Sequence, residues 1–126
     1  MMKRYGLTGT PGCGKTSILR ALEMTGASVV DEAATDVIAY KQMQGVSEPW
    51  KSPDFIDDII QLQKHRQMDR CGEYSEVYFY DRTPICTYAL AIYLGFEPTT
   101  ELMTEIERIH DHHIYEKRIF FVENLG

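Results

Sequence analysis

The octet Gly9-Thr10-Pro11-Gly12-Cys13-Gly14-Lys15-Thr16 constrains this chain more than any other feature. It fits G-x-x-x-x-G-K-[ST] at every position, a pattern that works only between a strand and a helix. The flanks supply both. Residues 3–9 read as a short strand running into glycines, and residues 15–25 carry Ile18, Leu19 and Leu22 at helical spacing. Gly9, Gly12 and Gly14 have no β-carbon, so the backbone can turn tightly and aim N–H groups inward. The start of the following helix adds partial positive charge. Such a loop cradles phosphates. Gly9, Pro11, Gly12, Cys13, Gly14, Lys15, Thr16 and Ser17 are therefore the candidate nucleotide contacts. Lys15 is expected on the β- and γ-phosphates of ATP or GTP, and the Thr16 hydroxyl on Mg²⁺.

Downstream, strand and helix patterns alternate. The pattern predicts a strand over 28–31, a helix from Glu32 to about Gln44 and a proline-bounded loop over 45–53. A long helix follows from Asp54 to about Cys71, then a strand over 76–81. Thr83-Pro84 reads as an N-cap followed by proline at the first helical position, and that helix closes at Gly95. A further helix is expected from Thr100 to about Tyr115 and a fourth strand over 118–122. Alternation of this kind implies an α/β fold, a parallel sheet with helices on both faces. The 126 residues fit one domain spanning 1–126.

Parallel sheets bind ligands beyond the carboxyl ends of their strands. Three groups fall there: the phosphate loop, Asp31-Glu32 after strand two, and Asp81-Arg82 after strand three. Transfer of a phosphoryl group needs an oriented nucleophile and stabilised charge on the γ-phosphate. A carboxylate can take the proton of an attacking hydroxyl, and another can hold Mg²⁺. Asp31 or Glu32 fits the first task, and Asp81 fits the second because it ends an apolar run. The plainer alternatives are compensation of a helix dipole by Asp31-Glu32 and a turn at Asp81.

Three stretches together resemble a known family: Leu7 to Thr16, Val29-Val30-Asp31-Glu32-Ala33-Ala34, and Tyr80-Asp81-Arg82-Thr83-Pro84. They resemble the small ATPase-type P-loop family that includes the TRPL-translocation-defect protein, related to nucleoside and nicotinamide-riboside kinases. The resemblance covers about the first 90 residues. It implies a three-layer P-loop NTPase fold with a sheet of about four strands here. It also implies a Mg-dependent phosphotransferase acting on a small hydroxyl acceptor, with Lys15, Glu32, Asp81 and Arg82 as catalytic candidates and Thr16 and Asp81 on the metal. It selects Glu32 over Asp31 as base. Two departures stand out. Thr35 lies where that family often has arginine, and the arginine-bearing lid and fifth strand that follow strand four in such kinases are not within the 126 residues. The expectation is a truncated or lidless chain. The second function reading is accordingly a regulatory nucleotide-binding or ATPase module acting through a protein partner.

Several classes are set aside. Asp plus Glu outnumber Lys plus Arg by 19 to 13, so no nucleic-acid partner is expected. No apolar run approaches a membrane span, and three cysteines without C-x-x-C spacing read as reduced thiols, which together suggest a cytoplasmic protein. The guanine-reading N-K-x-D of Ras-like GTPases is missing, and the length leaves no room for the helical lid of a ring-forming AAA+ motor. Weaker signals have plain readings beside functional ones. Cys13 is either a small tolerated residue or an oxidisable thiol. His110 and His113 either complement a helix end or form half of a metal pair. Trp50 either packs its loop or stacks on an acceptor. Arg66 and Arg70 either line a groove or make solvated pairs.

Overall fold

A computed structural model describes residues 3–9, 14–69 and 76–122. The order is β1 (Lys3–Gly9), α1 (Lys15–Met24), β2 (Ser28–Val30), α2 (Ala33–Met43), α3 (Asp54–Asp69), β3 (Val77–Asp81), α4 (Pro84–Tyr93), α5 (Thr100–Asp111) and β4 (Ile119–Val122). The four strands form one parallel sheet in the order β2-β3-β1-β4. The expected α/β class with about four parallel strands is what the chain adopts.

This order determines where the helices lie. The step from β1 to β2 runs one way across the sheet, and the steps from β2 to β3 and β3 to β4 run the other way. Right-handed crossovers therefore put α1 on one face and α2 to α5 on the opposite face. Side chains alternate accordingly. Leu7, Val29 and Phe79 pack with Leu19 of α1. Val30, Tyr78 and Tyr80 point to the other side, where Tyr115 closes edge-on against Tyr80 at 5.1 Å between ring centres. The main apolar cluster joins Ala33 and Val37 of α2, Phe55, Ile56, Ile59 and Ile60 of α3, Ala91 of α4 and Leu102 of α5.

Three expectations change. The loop over 45–53 contains a 3₁₀ turn at Pro49–Lys51, with Pro49 buried and Trp50 packed against the main cluster. Trp50 thus takes its packing reading. The last long helix ends at Asp111, not near Tyr115, because His113 adopts φ +49° and Ile114 N–H returns to the Ile109 carbonyl at 3.0 Å. That reversal frees Tyr115 to cross to Tyr80. Helical spacing marks Ile85, Tyr88, Ala89, Ile92 and Tyr93 as the apolar set of α4, but its buried residues are Pro84, Thr87 and Ala91, while Ile85 and Ile92 are exposed. The small Ala91 and the Thr87 hydroxyl face α3, Tyr88 and Leu90 pack at the margin of the main cluster, and Ile85, Ile92 and Tyr93 point away. The expected end of α3 at Cys71 lies outside the described residues.

Candidate functional site

The sheet creates a crevice between its two central strands. The chain leaves β1 toward α1 on one face and leaves β3 toward α4 on the other, which is the arrangement that opens a ligand site at strand carboxyl ends. β1 and β3 are paired so that Leu7 lies beside Asp81. Gly9 therefore ends β1 next to the Asp81-Arg82 turn.

Gly14 caps α1 with φ +84°, a left-handed conformation that a side chain would strain. It delivers Lys15 into the crevice, 9% exposed. Lys15 Nζ donates to Asp81 Oδ1 and lies 3.7 Å from Glu32 Oε2. Arg82 approaches the same Glu32 oxygen with Nε at 3.6 Å. Two cations and two carboxylates, contributed by three segments far apart in sequence, thus meet at one place.

Arg82 itself sits at φ +71°, unusual for a residue with a side chain. A conformation of this kind costs about 1–3 kcal/mol and persists only where neighbours hold it. Here the Arg82 N–H donates to the Leu7 carbonyl at 2.9 Å, and Nη2 donates to the Gly9 carbonyl at 2.8 Å. Both acceptors belong to β1, at the root of the phosphate loop. The strained residue therefore ties the β3 turn to that loop. Thr83 occupies the cap position of α4 and Pro84 the first helical position, but the Thr83 hydroxyl makes no capping bond. Its methyl group instead faces Gly6, where an added Cβ would lie 2.7 Å from Thr83 Cγ2.

Asp31 and Glu32 diverge. Asp31 is exposed and receives a hydrogen bond from Arg20. Its carbonyl accepts from Arg66 Nη1 at 3.0 Å, and Arg66 also pairs with Asp36. With its side chain held by Arg20 and its carbonyl by Arg66, Asp31 faces away from the crevice while Glu32 meets Lys15 and Arg82. Arg66 thus contacts the strand-two turn. Thr16 and Ser17 are exposed in the first turn of α1. Pro11, Gly12, Cys13 and Arg70 lie outside the described residues. His110 is exposed beside Asp111, and among the described residues no group of three or more His, Cys, Asp or Glu side chains is placed to hold a metal. No helix among them is long and apolar enough to cross a membrane.

Beside the ion pairs is a cavity of about 230 Å³ lined by Glu32, Ala34, Ile59, Gln63, Arg82, Cys86, Thr87 and Leu90. The reading of motifs did not single out Gln63, Cys86 or Thr87. The signal for Gln63 was present: it continues the inward stripe Ile56, Ile59, Ile60 of α3 as a polar residue on an apolar face.

A helix entered through a left-handed glycine, a buried lysine at its first position and an acidic residue closing the neighbouring strand define a P-loop NTPase-type domain, a nucleotide-binding protein. More specifically, the chain belongs to the AAA domain family, whose model matches residues 4–126. No curated protein matches it.

Proposed function

We propose that the chain is a Mg-dependent phosphotransferase that moves the γ-phosphoryl group of ATP to a hydroxyl of a small, nucleoside-like acceptor. One observation carries the reading: Glu32 and Arg82 line a cavity and at the same time contact the phosphate-loop machinery at Lys15 and Gly9. A pure nucleotide switch has no need of a second small-molecule cavity at the phosphoryl end.

In this reading the acceptor oxygen attacks the γ-phosphorus as the bond to the β,γ-bridging oxygen breaks. ADP leaves, and the hydroxyl proton passes to Glu32. Lys15 and Arg82 offset charge on the transferring group. Phosphate oxygens compete with Asp81 and Glu32 for Lys15, so binding nucleotide loosens the carboxylates for their tasks. Thr16 and Asp81 offer hard oxygen donors of the kind Mg²⁺ prefers, with the remaining positions left to phosphates and water. Bound there, the ion would neutralise charge on the β- and γ-phosphates.

The test is ADP formation from Mg-ATP with and without a panel of nucleosides. A rate that rises with one acceptor, vanishes in Lys15→Ala and falls at least 100-fold in Glu32→Gln is expected. Nucleotide binding without any acceptor-dependent rate would sink the reading and leave a regulatory nucleotide-binding module.

A further inference from the structure

The lining of the cavity beside Glu32 includes a neutral polar pair, Gln63 and Thr87, both more than nine-tenths buried. The Thr87 hydroxyl donates to Gln63 Oε1 at 2.9 Å. This bond occupies the amide carbonyl and leaves the amide nitrogen for the cavity. Gln63 Nε2 donates to no group among the described residues. Two N–H donors of a buried amide are thus left for whatever fills the cavity. Around them Ala34, Ile59 and Leu90 are apolar and offer no competing acceptor.

We infer that Gln63, paired with Thr87, makes this cavity selective for a compact acceptor molecule that presents a carbonyl oxygen to Gln63 while its reactive hydroxyl faces Glu32. The inference rests on the phosphotransfer reading for the hydroxyl end only; the Gln63 end stands on its own geometry. A buried donor demands a partner, because leaving it unpaired costs the full desolvation of the group. A ligand bringing a carbonyl satisfies Nε2. A ligand of the same shape bringing an amino group sets donor against donor. The volume, about 230 Å³, is below the usual range for drug-sized ligands, roughly 300–1,000 Å³. A compact hydroxyl-bearing molecule up to the size of a nucleoside suits it, and an extended or polymeric substrate does not.

The prediction separates keto from amino members of otherwise similar nucleosides. Inosine and uridine carry a ring carbonyl where adenosine and cytidine carry an amino group. Cys86 lines the same cavity and is a free, partly exposed thiol, so its alkylation reports occupancy without any reaction. The experiment follows iodoacetamide modification of Cys86 by peptide mass mapping while each nucleoside is titrated. Parallel wells measure acceptor-dependent ADP formation.

The keto member of a pair is expected to protect Cys86 at about tenfold lower concentration than its amino counterpart. Gln63→Leu should erase that preference. Thr87→Val should narrow it to less than about threefold, because the freed amide can turn and offer either its oxygen or its nitrogen. In turnover the preference should sit in KM with kcat little changed, if Gln63 holds the acceptor equally before and during transfer. Equal protection by both members, preference for the amino member, or a Cys86 thiol that no nucleoside protects would overturn the inference. So would a Cys86 thiol that fails to react in protein without ligand, since the cavity would then be closed to small molecules. Keto-selective protection without acceptor-dependent ADP formation would uphold the cavity's selectivity and remove the phosphotransfer reading. Acceptor-dependent ADP formation without protection would do the reverse.

Discussion

Gly6 shows how a single hydrogen can shape the site. It lies mid-strand in β1, three residues before the phosphate loop, and pairs with Tyr80. A methyl group there would stand 2.7 Å from the Thr83 methyl, closer than side chains tolerate. Thr83 is buried and adjoins the strained Arg82, so it has little freedom to retreat. Gly6→Ala should therefore displace the β3 turn and weaken the Arg82 contact to Gly9. The expected loss is about tenfold or more in nucleotide-dependent turnover, with about 1–3 kcal/mol of stability. Thr83→Ser removes the opposing methyl, and the double variant should recover most of both. A double variant no better than Gly6→Ala alone would show that the contact with Thr83 is not the reason for glycine. No reading of the sequence could reveal this, because the partner of Gly6 lies 77 positions away. The phosphate loop was legible because its chemistry is written in consecutive residues. Glu32, Asp81 and Arg82 stood out as candidates because each lies at or within two residues of the end of an apolar strand.

At the level of elements, the sequence displays the order of strands and helices but conceals the rotation of some helices. The apolar stripe of α3 carried its own phase: Phe55, Ile56, Ile59 and Ile60 are inward. In α4 nearly every residue is apolar or small, so spacing pointed to Ile85, Ala89 and Ile92, which are exposed; contact with α3 chose Thr87 and Ala91. In α5 an ordinary-looking i, i+3 pair proved to be internal. Glu105 is 4% exposed and accepts two bonds from Arg108, from Nε at 2.7 Å and Nη2 at 2.9 Å. Arg108 Nη2 also donates to Gln67 of α3 at 2.7 Å. Such a pair offsets its own desolvation while complete and penalises the fold when broken. Arg108→Met should lower the free energy of unfolding by about 3 kcal/mol by leaving the Glu105 carboxylate buried alone. Glu105→Leu combined with Arg108→Met should restore most of it. Urea unfolding of the two variants decides the matter: equal destabilisation in both would mean that the charge pair, not the stranded carboxylate, supplies the stability.

Over the whole molecule, one topological fact organises both function and stability. Because crossovers put α1 alone on one face, the other face collects four helices and the segment that follows them. Tyr115 is the last ring in that layer. It stands edge-on to Tyr80, whose strand ends one residue later at Asp81, so the packing of the sheet's far side and the site share β3. Burial raises the pKa of the Tyr115 phenol above its ordinary value. Tyr80 and Glu105 raise it further, and Arg108 and Arg4 pull partly the other way. The sign of the consequence follows from linkage. The folded chain keeps the Tyr115 proton at a pH where the unfolded chain, titrating near 10, has released it. Neutral Tyr115 therefore contributes fully below about pH 10, and the contribution is lost as pH climbs toward the raised folded value. Relative to Tyr115→Phe, the native protein should show a plateau of stability to about pH 9.5 and then a steeper decline. The difference in slope approaches 1.4 kcal/mol per pH unit, about the value of one proton. Urea midpoints of both proteins at several pH values between about 8 and 11 measure it, and the remaining tyrosines cancel in the comparison. Parallel curves would mean that the Tyr115 phenol titrates as it does in the unfolded chain. The closure of Tyr115 on Tyr80 would then be loose enough to admit water to the hydroxyl, and β3 would have to be held near the site by its pairing with β1 and β2 alone.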